Sequence, residues 1–227
     1  MFRLLALLSC IVLASPLAAV EAKQPRPLRV LFVGNSYTYT NALPQVVALV
    51  AESRGLAMSA GMLAEPDFAL EDHIVTGAYD AMLERGWDWV VLQQGPSSLP
   101  QNRLHLRVWS ERAAASARAR GIRVALMSAW PALGNIRTWT DAELSYHLAA
   151  VAAQACVLPV ATAWRLARAT QFQPDLYDGD LLHPSRTGTL LAALVAARAL
   201  VPGVHKPGAL DIGIAFDDPY WGEAVRR

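Results

Sequence analysis

The sequence predicts a single α/β domain with a mainly parallel central sheet covered by helices on both faces. Three observations predict it. Short apolar runs alternate with longer helical patterns, the order that right-handed strand–helix–strand crossovers produce. No repeat, low-complexity tract or linker interrupts residues 28–227, and a mature length of about 205 residues suits one domain. Hydrophobic residues make up 54% of the chain and the formal net charge is +1. That allows a sizeable core and gives no charge bias toward nucleic acid or an anionic membrane.

The elements follow in order. Residues 1–22 read as a secretory signal peptide, with Arg3 as its positive start, Leu4 to Leu13 as its apolar core and Ala14 to Ala22 as its small-residue end. Cleavage is expected after Ala19 or Ala22, delivering the protein to the periplasm or the exterior with no membrane span. An uncleaved anchor is the alternative, although the apolar run falls short of the ~20 residues a span requires. Too little hydrophobic sequence precedes Cys10 for a lipoprotein signal, and a lone arginine gives no twin-arginine signal. Without the signal Cys156 is the sole cysteine, so no internal disulfide is available. Its neighbours Ala155, Val157 and Leu158 predict a buried, inert thiol.

Leu28 to Val33 reads as the first strand, ending at Gly34. Pro44 to Arg54 reads as a helix stopped by Gly55, and Ala57 to Leu63 as the second strand. Leu70 to Arg85 is helical in two pieces, interrupted at Gly77. Trp87 to Leu92 and Ile122 to Met127 are the third and fourth strands, with an amphipathic helix from Leu104 to Arg120 between them, closed by Gly121. Thr140-Asp141-Ala142-Glu143 matches a capping box ahead of a helix to Gln154. Cys156 to Val160 is a last strand, which Pro159 assigns to an edge. Thr187 to Leu200 is a nearly all-apolar helix, ended by Pro202-Gly203.

Sites in such sheets lie beyond the carboxyl ends of the strands, where Ser36 and Gln94 fall. Near the other end of the chain, Asp180 precedes His183 by three residues, a spacing that one tight turn can present on one side. A serine hydroxyl is a poor nucleophile until an imidazole takes its proton, and the imidazole works best when a carboxylate orients it. Ser36, His183 and Asp180 supply these three chemical types. Asp178 is a less well-spaced alternative to Asp180. Structural readings stand beside each: Ser36 as a turn serine capping the next helix, His183 as a surface histidine.

These segments resemble the SGNH or GDSL-like hydrolases, a flavodoxin-like α/β group of esterases, lipases and carbohydrate deacetylases. The likeness spans roughly residues 28 to 200. Asp180-Leu181-Leu182-His183-Pro184, followed by Ser185 and Gly188, is its most specific part. Phe32-Val33-Gly34-Asn35-Ser36 resembles the nucleophile block, with Asn35 where many members carry aspartate. The resemblance implies a three-layer flavodoxin-like domain, Ser36 as nucleophile, His183 as base and then acid, Asp180 as orienting group, and no cofactor. It also implies an oxyanion hole of the Ser36 N–H, a glycine N–H after the second strand and an asparagine side chain after the third.

The sequence departs from the family at the last two places. Asp67 lies where the glycine is expected, and its backbone N–H is the candidate replacement. Val91-Leu92-Gln93 with a downstream serine resembles one branch of the family, so Gln93, or next to it Gln94, is the candidate substitute for asparagine. His73 resembles a recurrent segment of that branch and also fits a plain helix-face histidine. Tyr37, Tyr39, Trp130 and Trp139 fit either a substrate pocket or the core.

The expected function is that of an exported serine esterase acting on short-acyl, small-molecule or glycan esters. Activity is expected to fall as His183 becomes protonated. The alternative is an envelope binding or scaffold protein that has lost activity, which the two departures keep open. An α/β-hydrolase elbow would need a second glycine at Thr38. A metal site on Asp178, Asp180 and His183 lacks further ligands.

Overall fold

The computed structural model describes residues 26–200. The proposed signal peptide and the Pro202-Gly203 helix stop lie outside the described residues. Among the described residues five strands form one sheet in the order β2-β1-β3-β4-β5, every neighbouring pair parallel. They are β1 (Leu28–Gly34), β2 (Met58–Ala64), β3 (Trp89–Leu92), β4 (Arg123–Met127) and β5 (Cys156–Leu158). This is the flavodoxin-like strand order, and the order reverses between β1 and β3. Consecutive residues Val30 to Val33, Trp89 to Leu92 and Val124 to Met127 are all buried. Because successive side chains leave a strand on opposite faces, unbroken burial means that both faces are covered.

The covering helices are α1 (Ser36–Tyr39), α2 (Leu43–Ser53), α3 (Leu70–Val75), α4 (Ala78–Leu83), α5 (Pro100–Ala119), α6 (Trp139–Ala153), α7 (Val160–Arg168) and α8 (Arg186–Leu200). α2 packs on α8 and α8 on α7, while α5 packs on α6. Among the described residues no helix is long and apolar enough to cross a membrane. The expected break at Gly77 is present, with φ at 76° between α3 and α4.

Several expectations need correction. α5 starts at Pro100 rather than Leu104, since a proline at the first helical position has its φ already set and lacks an N–H that the helix would leave unpaired. α6 starts at Trp139 without the expected capping box, because the Glu143 carboxylate instead accepts from Arg165 at 2.8 Å. β3 begins at Trp89; Asp88 before it accepts from the Arg26 guanidinium and, at 2.8 Å, from the Arg29 N–H. β5 ends at Leu158, and Val160 opens α7, a helix the sequence reading missed. Cys156 is exposed, not buried, because among the described residues β5 is an edge strand paired with β4 alone.

Candidate active site

β1 delivers the chain to Asn35, which caps α1 and leaves Ser36 as the first residue of that helix. Buried side chains shape this turn. The Asn35 Oδ1 accepts from the Tyr37 N–H at 3.2 Å and from Gln93 Nε2 at 3.1 Å, while its Nδ2 donates to the Phe68 carbonyl at 2.9 Å. The Gln93 Oε1 accepts from the Asn35 N–H at 3.1 Å and the Thr38 hydroxyl at 2.7 Å. Gly34 has no room for a side chain, since a Cβ would stand 2.3 Å from that same Oε1. Beneath the turn, buried His73 donates from Nε2 to the Gly34 carbonyl at 2.7 Å, its ring 5.0 Å from that of Phe68. The acceptor is a carbonyl, so the proton must sit on Nε2. Asn35 thus makes one bond, to Phe68, that an aspartate could not donate.

The imidazole end is built from a turn between Tyr177 and Pro184, which bridge each other. The Asp180 Oδ1 accepts from the Leu182 and His183 N–H groups, both at 2.9 Å, and its Oδ2 accepts from the Nδ1 of His183. The bond from His183, joined by the two backbone bonds, holds the Asp180 carboxyl down at about 2. Asp178 does not touch the ring. Its carboxylate accepts from Gly179, and its N–H donates to the His183 carbonyl at 2.9 Å.

Four successive carbonyls of this turn each accept a hydrogen bond. Leu181 accepts from the Leu133 N–H at 2.8 Å, Leu182 from Trp130 Nε1 at 3.1 Å, and His183 from Asp178. Pro184 accepts from Asn41 Nδ2 at 2.9 Å, and that amide also reaches the Thr189 hydroxyl at 3.0 Å. Asn41 follows α1 with φ at 53°, a left-handed conformation that asparagine tolerates better than most side chains. It ties the serine's segment directly to the histidine's.

Ser36 and His183 line one cavity of about 620 Å³, at the carboxyl end of the sheet beside the β1–β3 reversal. Asp67 and Gln94 line it too. Asp67 has φ at 59°, the region a glycine would favour, and asparagine or aspartate enters it at modest cost. Among the described residues neither its N–H nor that of Ser36 meets an acceptor. Gln93 is placed differently from expectation. It is 1% exposed, does not line the cavity, and gives both Nε2 hydrogens away, to Asn35 and to the Gln94 carbonyl at 2.6 Å. The neighbouring Gln94 faces the cavity, with Nε2 bonded at 3.1 Å to the hydroxyl of Ser97, one of the two serines downstream of the strand. That bond uses one of its two hydrogens.

Tyr37 and Tyr39 line the cavity. Trp130 instead stacks on Trp164, centroids 3.7 Å apart, and Trp139 is buried away from it. A second cavity of about 340 Å³ adjoins the first, sharing Tyr37, Pro96, Ser97, Asn102 and Leu182 as a common wall. Among the lining residues that escaped the sequence reading are two polar ones, Asn102 and His105. Their signal was present as two polar residues three apart, hence on one helix face, but it fell at a helix start placed four residues too late.

No family model and no curated protein matches the chain. Solved structures do. A candidate SGNH hydrolase from Slackia heliotrinireducens is 24% identical, with a TM-score of 0.66 over 78% of this chain and 100% of its own. A DUF4886 family protein from Bacteroides uniformis is 19% identical, with a TM-score of 0.70 over 88% of this chain and 92% of its own. A catalytic mutant of an acetylxylan esterase from Geobacillus stearothermophilus is 14% identical, with a TM-score of 0.61 over 80% of this chain and 97% of its own. The architecture is therefore a flavodoxin-like α/β domain. More particularly, it is the fold of the SGNH/GDSL hydrolases.

Proposed function

We propose that the chain is an exported serine esterase that cleaves short-acyl esters through an acyl-serine intermediate. One observation carries the reading: Ser36 and His183 open on a common cavity, with the Asp180 carboxylate bonded to His183 Nδ1. Asp180 fixes Nδ1 as the protonated nitrogen and leaves Nε2 to take the serine proton. The Ser36 Oγ then attacks the ester carbonyl, and Nε2 returns the proton to the departing alcohol. Water attacks the acyl-serine, giving its proton to the same nitrogen, and the acid leaves as Ser36 is reprotonated.

The negative charge on the tetrahedral oxygen needs donors fixed in advance. The N–H groups of Ser36 and Asp67 fill two places. The remaining Nε2 hydrogen of Gln94 fills the third in place of Gln93, which becomes the brace beneath the nucleophile. Export rests on the Arg3, Leu4 to Leu13 and Ala14 to Ala22 pattern. The acetylxylan esterase among the structural neighbours is consistent with an acetyl group as the acyl part.

Hydrolysis of 4-nitrophenyl acetate tests the reading. Ser36→Ala is expected to lower kcat by a factor of ~10⁴ or more, with circular dichroism and Tm unchanged. Equal turnover in the two proteins would leave the scaffold reading instead.

A further inference from the structure

A second histidine–carboxylate pair stands on the cavity wall. His105 of α5 donates from Nε2 to Glu71 Oε2 of α3 at 2.8 Å, and its ring lies 6.2 Å from that of Trp109. His105 lines the cavity and Glu71 does not, so the carboxylate holds the ring from behind. The His105 Nδ1 has no hydrogen-bond partner among the described residues. One helical turn earlier, the exposed side chain of Asn102 is likewise unbonded among the described residues and borders both cavities. The exposed Asp67 is a further lining residue.

We propose that His105 and Asn102, with Glu71 as the positioning residue, form a subsite for the hydroxyl groups of a sugar, so that the alcohol part of the ester is a glycan. The inference rests on the esterase reading of the same cavity. A hydroxyl both donates and accepts, so it satisfies Nδ1 whether the imidazole is neutral or protonated. The Asn102 amide offers a donor and an acceptor to an adjacent hydroxyl. A long acyl chain in that place would strand these groups without partners, which is costly once water is excluded. Among the described residues no lysine or arginine lines the cavity, so no fixed cation there pairs with a phosphate or carboxylate on the substrate. Tyr39 and Phe68 give the C–H face of a pyranose an apolar surface.

The test compares xylose tetraacetate with 4-nitrophenyl acetate in wild type, His105→Phe and Glu71→Gln. The ratio of kcat/KM for the sugar ester to that for the small ester is expected to fall about tenfold in His105→Phe, through KM. In Glu71→Gln the fall is expected to be about threefold, because the glutamine carbonyl still accepts from Nε2. An unchanged ratio overturns the subsite while leaving the esterase intact. Calorimetric binding of unacetylated xylobiose to Ser36→Ala, with and without His105→Phe, separates the two claims. Weaker binding in the double variant supports the subsite even if no ester is hydrolysed. Equal binding, or none at all in Ser36→Ala, overturns it.

Discussion

The hydroxyl end of the site and the imidazole end are held by different kinds of bond. Around Ser36 the turn is fixed by buried side chains, with Gln93 bonded to Asn35 and Thr38, and His73 beneath Gly34. Around His183 the side chains of Asp180 and Leu181 are exposed, and the turn is fixed by the Asp180 carboxylate on two of its N–H groups and by donors to four of its carbonyls. Removing a buried polar brace strands its partners away from water, whereas removing a surface tether frees a turn that water can solvate. The first region should therefore fail by losing stability, the second by losing alignment.

The largest expected departure lies in the imidazole region. Asp180→Asn keeps a side chain of the same shape but favours the wrong tautomer of His183, and kcat is expected to fall by ~10³–10⁴ with a fall in denaturation midpoint smaller than that of Gln93→Leu. A midpoint shift as large as that of a core substitution would break the comparison. Next comes Gln93→Leu, which strands the Asn35 N–H and the Thr38 hydroxyl. Urea denaturation is expected to show a loss of about 3 kcal/mol, and a loss under 1 kcal/mol would show that the brace is dispensable. Asn41→Gly removes the tether to Pro184 while accommodating the positive φ. A ~10-fold fall in kcat/KM is expected, with stability changed by under ~1 kcal/mol.

The smallest effect is in acid. Asp180 is held at about 2 by His183 and two backbone N–H groups, and Asp88 at about 2 chiefly by the Arg26 guanidinium. Both folded values lie below the ordinary ~3.9, so the stabilisation is complete above that pH and disappears as pH falls toward 2. Thermal melts should weaken between pH ~4 and ~2, and less steeply in Asp88→Asn. Asp180 stays ionised throughout mildly acid solution, so a carboxylate step in kcat/KM between pH ~4 and ~6 would count against this assignment.

Much of this was legible in the chain. Apolar runs such as Leu28 to Val33 and Trp89 to Leu92 marked the buried strands because burial on both faces leaves no room for alternation. The Asp180–His183 spacing gave the turn because both bonds are local. Gln93 and Gln94 could not be told apart: adjacent strand-end residues point to opposite sides, and only the folded partners Asn35 and Ser97 show which amide faces the cavity. The left-handed backbone at Asp67 was hidden, since aspartate only tolerates what glycine advertises. Asn41 and His105 were invisible for a further reason, as each acts through partners distant along the chain, Pro184 and Glu71.

Covalent trapping reads the central claim most directly. Incubation with a fluorophosphonate probe, then intact-mass and peptide mapping, should find one adduct, on Ser36. Labelling should be lost in Ser36→Ala and strongly slowed in His183→Ala. An adduct on another residue, or equal labelling without the Ser36 hydroxyl, would contradict the account.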